Sequence, residues 1–385
     1  MPALAHVAAA LSEHPLLTHA VGECVGQLIE QAGTGPDLLV LCVTEAVAGA
    51  LEDVHGATRR LLDPTVLVGC TTEGIAGGAL QVDGRAAVSM FGVWLDGAAS
   101  DAVRPVHLDV ERGADGDRWA EPLELAGAHG TLALFADGAG PSLDPLVARL
   151  SELAPDLVVV GGAVGGARLT GGSRLLLDGA VHRSGAAAVL LGDGVPVGAT
   201  VSQGYRPFGP TFTVTRSERN VVRELGGRPA LERLMDAVEE LSTEDRALAA
   251  GSVHLGWAVA DVEEPGPGDV LVRHVLGADR SIGALAVGAP VEVGVAARFH
   301  LFDAASAHDD LAHLGARVAG ARGVFAFLGS ARGARLFGTA DHDAATLSDL
   351  LDGAALAGST CEAVVGPVGR VGAVHRRGVA ALTVG

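Results

Sequence analysis

Four short stretches of this 385-residue chain carry side chains able to hold or transform a small molecule. Cys70-Thr71-Thr72-Glu73 sets a thiol, two hydroxyls and a carboxylate in a row. Such a set can hydrogen-bond a polar ligand from several directions. Cys70 or Glu73 could also serve catalysis if a base stood close by. Ser202, Gln203, Tyr205 and Arg206 form the densest polar cluster of an otherwise apolar sequence, and Tyr205 is its one tyrosine. Arg206 has the planar fork that clamps a carboxylate through two hydrogen bonds; the same fork could latch two halves of a fold through an acidic partner. Arg332 and Arg335, close to Phe337, are further cations for an anion, and each alone is equally well read as a surface arginine. Gly161 and Gly162, and Cys361 after Gly358-Ser359-Thr360, are small residues that would leave room for a ligand.

Several chemistries are excluded outright. All 27 basic residues are arginine, so there is no phosphate-loop lysine, no Schiff-base lysine and no kinase lysine. A net charge of −19 repels a phosphate backbone, so nucleic acid is not expected as a partner. The tightest histidine groups, Asp341-His342-Asp343 and His308-Asp309-Asp310, lack the spacing of a zinc site, and neither metal nor cofactor is expected. Ser173 in GGSRL lacks the second glycine of a nucleophile elbow. The glycine-rich run 161–172 does not fit a dinucleotide fingerprint, because Thr170–Arg174 reads as turn and strand. Cys24, Cys42, Cys70 and Cys361 form no CxxC pair and read as free thiols of a reducing compartment. Met1–Pro15 has no basic start, and no apolar run reaches 18 residues. A cytoplasmic protein without a membrane span is therefore expected.

The elements that must position these residues repeat one pattern. Asp37–Val43, a helical stretch Glu45–Leu62 and Val66–Gly69 run into Cys70–Glu73. Thr131–Ala136, a helical stretch Leu143–Leu153 and Asp156–Val160 run into Gly161-Gly162. Gly323–Leu328, a helical stretch Asp341–Leu351 and Ala354–Ala357 run into Gly358–Cys361. Short continuous apolar runs mark strands covered on both faces, and a helix between two of them marks a crossover joining a parallel pair. Asp144-Pro145 reads as a cap with proline at the first helical position, and Gly353 as a stop. Arg228–Leu241 carries an apolar stripe of Leu231, Leu234, Met235 and Val238, and a further helix is read at Ala304–Ala319. Glu263–Asp269 reads as an exposed loop. Between these units lie antiparallel-looking strands. The length exceeds what one core usually serves. The expected fold is α/β, in two closely packed halves, 1–205 and 206–385, each a mixed β-sheet flanked by helices.

The motifs also match a known family. VGCTTEGIAGG at 68–78, followed by RAAVSMFGVWLDG at 85–97, resembles the first part of a FIST N-terminal domain. VSQGYRPFGPTFTVTRSERNV at 201–221 and LGGRPALERL at 225–234 resemble the junction with a FIST C-terminal domain. LVRHVLGADRSIGALAVG (271–288), VEVGVAARFHLFDAASAHDDL (291–311), RGARLFGTADHDA (332–344) and VVGPVGR (364–370) continue the likeness to the end. Gly329-Ser330-Ala331 and Val364 depart from the family pattern, while Arg332-Gly333 keeps it.

The resemblance implies a sensory module that binds a small ligand such as an amino acid or a related metabolite. It would act alone or through a separate signalling protein, without turnover. The alternatives are a haem-based gas sensor, as reported for some similar proteins, an enzyme using Cys70 or Glu73, and an interaction module without a ligand. The expected site is a seam between the halves, where three strand ends converge. It would comprise Cys70–Glu73, Gly161, Gly162, Ser202, Gln203, Tyr205, Arg206, Arg332, Arg335 and Cys361.

Overall fold

The computed structural model describes residues 6–97, 102–114, 116–165, 173–259 and 268–385. Most of the expected loop 263–269 and the end of the glycine-rich run, 166–172, lie outside them. The protein is mixed α/β, and its strands and helices form two compact units. The first comprises Met1–Ser202, Leu311–Pro367 and Gly372–Gly385; the second comprises Gln203–Asp310 and Val368–Val371. The chain thus leaves the first unit after Ser202 and returns to it at Leu311. The compact units are not two consecutive halves, because the third crossover pairs with the second.

All three expected parallel pairs are present. Leu38–Thr44 pairs with Val66–Thr72, Gly130–Asp137 with Leu157–Val164, and Gly323–Gly329 with Ala355–Val368. Every residue of Leu38–Thr44, Val66–Thr72 and Gly323–Gly329 is buried, which is why their sequences are continuously apolar instead of alternating. The first pair lies in a six-stranded sheet ordered His6–Ser12, Val88–Trp94, Leu38–Thr44, Val66–Thr72, Leu175–Leu177, Ala180–His182. The other two share a larger sheet, where Leu157–Val164 and Ala355–Val368 run antiparallel side by side.

Few aromatic residues are available, and four phenylalanines are concentrated where the two sheets of this unit face each other. Phe91 of the six-stranded sheet meets Phe325 at 5.9 Å between ring centres, and Phe325 meets Phe135 at 5.6 Å and Phe327 at 5.1 Å. Edge-on ring pairs of this kind add to the stabilisation from buried area. The crossover helix Leu143–Leu153 has the expected span, but its cap lies two positions before the expected Asp144. Ser142 is its cap, accepting from the Asp144 N–H, and Asp144 lies within the first turn.

The second unit is built differently. Tyr205–Glu218, Ala296–Phe302, His254–Ala258, Val270–Asp279, Ala284–Val287 and Val221–Leu225 pair antiparallel in that order, and the last returns to the first. The ring of pairings closes on itself. Phe208, Val214, Leu255, Trp257, Leu285, Phe299 and Leu301 share its core. The helix Ala230–Glu239 packs Leu231, Leu234 and Val238 against that core, whereas Met235 of the expected stripe is exposed. Arg228-Pro229 forms a short strand before the helix. No helix among the described residues is long and apolar enough to cross a membrane.

Candidate functional site

Within the first unit the three crossover ends meet. The Thr72 hydroxyl donates to the Thr360 carbonyl at 2.6 Å, and the Glu73 N–H donates to the Gly165 carbonyl at 3.0 Å. Gly162 lies opposite Val364. A Cβ at Gly162 would stand 2.5 Å from the Cys361 sulfur, and one at Gly161 would stand 2.1 Å from the Leu134 carbonyl oxygen. These two glycines let strands and a thiol approach closely, so the space they leave is filled by protein.

Most of the meeting point is sealed. Cys70 and Cys361 are fully buried. The Cys70 sulfur lies 3.8 Å from that of Cys42. Burial, with the neighbouring thiols Cys42 and Cys361, pushes the Cys70 thiol well above its ordinary value, and burial pushes Cys361 up to about 12. Both thiols therefore stay protonated, and a protonated thiol is a poor nucleophile. Thr71 is also used internally, its hydroxyl accepting the Arg174 N–H.

The open space lies on the rim, beyond the carboxyl end of Gly323–Gly329. A cavity of about 190 Å³ is lined by Glu73, Gln81, Asp83, the turn Leu328–Arg335, Asp343 and Thr360. This is where open α/β sheets bind ligands. Its lining carries both signs of charge. Burial raises the Asp83 carboxyl, with Glu73 and Asp341 adding to the shift against the hydrogen bond from Gln81. Arg335, on the short helix Ala334–Phe337, is exposed and has no hydrogen-bond or ion-pair partner among the described residues. Thr360 also lines the cavity, and its hydroxyl is enclosed without a hydrogen-bond partner.

Arg332 has a different role. It is 2% exposed, and its Nε and Nη2 hold both oxygens of Asp343 at 2.6 and 2.9 Å. Burial pushes Asp343 up, but hydrogen bonds from His342 and Arg332 outweigh it and hold the carboxyl below its ordinary range. Phe337 stacks flat on His342, and the Arg332 guanidinium lies over the Phe337 ring at 5.3 Å. The pair fixes the turn that forms one wall and presents Arg335. Gln81, Asp83, Asp343 and Thr360 were missed by sequence reasoning. Thr360 follows Ser359 in the quoted motif, but nothing in the sequence marks its hydroxyl as unpaired.

The cluster around residue 205 does not join this cavity. Ser202 is fully buried in the first unit. Gln203 opens the second and acts as a backbone mimic, its amide donating to the Val270 carbonyl and accepting the Val272 N–H. Tyr205 packs against His254 and Phe302. Arg206 is neither a ligand clamp nor a latch to another half. Its guanidinium is held by Asp303 and Asp245, both of its own unit. Gln203 and Tyr205 instead border a second cavity in the second unit.

Comparison with known proteins identifies the family, whose two models match consecutive segments of the chain. A family model described as the FIST N domain matches residues 37–228, and one described as the FIST C domain matches 230–363. An uncharacterized protein of Mycobacterium bovis is 36% identical over 378 residues, covering 94% of both chains. An uncharacterized protein of Mycobacterium tuberculosis is 34% identical over 380 residues, covering 95% of this chain and 96% of its own.

Proposed function

This chain belongs to the FIST family, whose domains are associated with sensory signal transduction, and from that premise we infer that it is a sensor of a small zwitterionic, amino-acid-like metabolite. The observation that carries the reading is that one small cavity is lined by both signs of charge. Glu73 and Asp83, close enough to perturb each other, suit an ammonium group, and the unpaired Arg335 of the same lining suits a carboxylate. Thr360 adds a neutral residue to the lining. The cavity is smaller than the roughly 300 Å³ at which drug-sized pockets begin, which matches a metabolite of amino-acid size.

Binding is reversible and without turnover in this reading, since Cys70 is sealed and protonated. The output passes to a separate signalling protein. Thermal-shift measurements on the whole chain against the common amino acids test it. A ligand at a hundred times its Kd stabilises by about 2.7 kcal/mol. One or more free amino acids should raise Tm, their N-acetyl and amide derivatives should not, and Arg335→Ala should abolish the shift while leaving the ligand-free Tm unchanged. Indifference to every free amino acid, or an equal response to the blocked derivatives, sinks the reading.

A further inference from the structure

The second unit contains a cavity of about 220 Å³ unrelated to the rim site. Arg298, His300, Gly256, Val270 and Val272 border it, with Pro207 and Tyr205 at one side. Strand alternation explains the lining. Leu255, Trp257, Ala297, Phe299 and Leu301 point into the core of the closed ring, so Gly256, Arg298 and His300 point the other way.

His300 is 7% exposed. Its Nδ1 lies 3.0 Å from the Arg298 carbonyl oxygen, to which it can only donate. Nε2 is then the acceptor of the neutral ring, and it has no hydrogen-bond partner among the described residues. It is also not one of the fully enclosed unpaired atoms, so it faces the cavity. Burial, reinforced by the Arg298 charge against the backbone hydrogen bond, lowers the His300 pKa to about 4, so the ring is neutral at pH 7. Gly256 lets the imidazole lie flat against the neighbouring strand: a Cβ there would stand 2.5 Å from His300 Cε1, so the room that the glycine leaves is taken by His300 itself. Arg298 spends its Nε on the Gly209 carbonyl at 2.7 Å, and its terminal nitrogens meet no carboxylate among the described residues. The one acid on the lining, Asp310, accepts the Gly204 N–H at 2.7 Å.

From this geometry we propose that the second unit holds its own binding site for a small hydroxylated carboxylic acid with an apolar, one-ring body. The carboxylate meets Arg298, the hydroxyl donates to His300 Nε2, and the ring lies against Val270 and Val272. Two residues along a strand span roughly 6.8 Å, about the distance between substituents across a benzene ring. The volume excludes much larger occupants.

The experiment is calorimetric titration of the whole chain with 3- and 4-hydroxybenzoate, beside benzoate and phenol. At least one hydroxybenzoate should bind, and benzoate and phenol should each bind at least tenfold more weakly. Arg298→Gln should weaken the hydroxybenzoate at least tenfold, and His300→Leu should erase its advantage over benzoate. Arg335→Ala should leave all of this unchanged, so this site and the rim site stand or fall separately. In the unaltered protein labelled with ¹⁵N-histidine, the hydroxybenzoate should move the His300 Nε2 resonance. No binding at millimolar concentration, equal binding of benzoate, or an unmoved Nε2 resonance overturns the proposal.

Discussion

The rim cavity of the first unit and the ring-face cavity of the second are similar in volume, about 190 and 220 Å³, yet they use arginine in opposite ways. At the rim a buried arginine, Arg332, is spent on Asp343 to hold a turn, and that turn presents an exposed one, Arg335. On the ring face one half-buried arginine, Arg298, both anchors itself through Nε and keeps its remaining nitrogens unpaired. The difference teaches that the charge of a residue does not assign it to a site. Arg206, chosen from sequence for its polar company, is committed to two carboxylates, whereas Arg298 stood in a run with no polar signal.

The strongest challenge to this division is to remove the buried partner. Arg332→Ala leaves Asp343 in the interior without its arginine, held by the His342 hydrogen bond alone, and should cost about 3 kcal/mol. The denaturant midpoint should fall with an unchanged m value. A cost below about 1 kcal/mol would mean that Arg332 is not the structural member of the rim.

Acid tests the other region. Because the folded His300 pKa is about 4 and its ordinary value is 6.5, the unfolded chain binds a proton here that the folded chain refuses. The stabilisation is fully present above about pH 6.5 and is lost as pH falls towards 4, by on the order of 3 kcal/mol. Arg298 and the cross-strand neighbour His254 face the same strand region, and Asp310 lines the cavity. Asp83 works in the opposite sense, since a raised carboxyl is relieved by acid. The readout is therefore the difference between the unaltered chain and His300→Leu, which should widen steadily below pH 6.5. A constant difference removes the buried neutral imidazole from the account.

The smallest effect should come from Arg206→Ala. Its two ion pairs are part-exposed, so the loss should be about 1 kcal/mol, with ligand-induced stabilisation at the rim untouched. Loss of that stabilisation would return Arg206 to the ligand site.

By itself the sequence determined the three crossover units, because a strand covered on both faces must be apolar at every position and a helix must carry the chain back. It also determined, through the absence of lysine, which reactions are closed to the protein. Only the tertiary structure decided that the third crossover pairs with the second, that the residues between them close into an antiparallel ring, and which strand-end residues are open. Cys70 and Cys361 share the motif pattern of Glu73 and Thr360, but three positions along the chain in the first motif and one in the second separate the core from the rim. Pairing was equally hidden. Whether an arginine meets an aspartate 11, 39 or 97 residues away, as Arg332 and Arg206 do, depends on how distant segments are brought together, and a polar group becomes available to a ligand only where that packing leaves it unsatisfied.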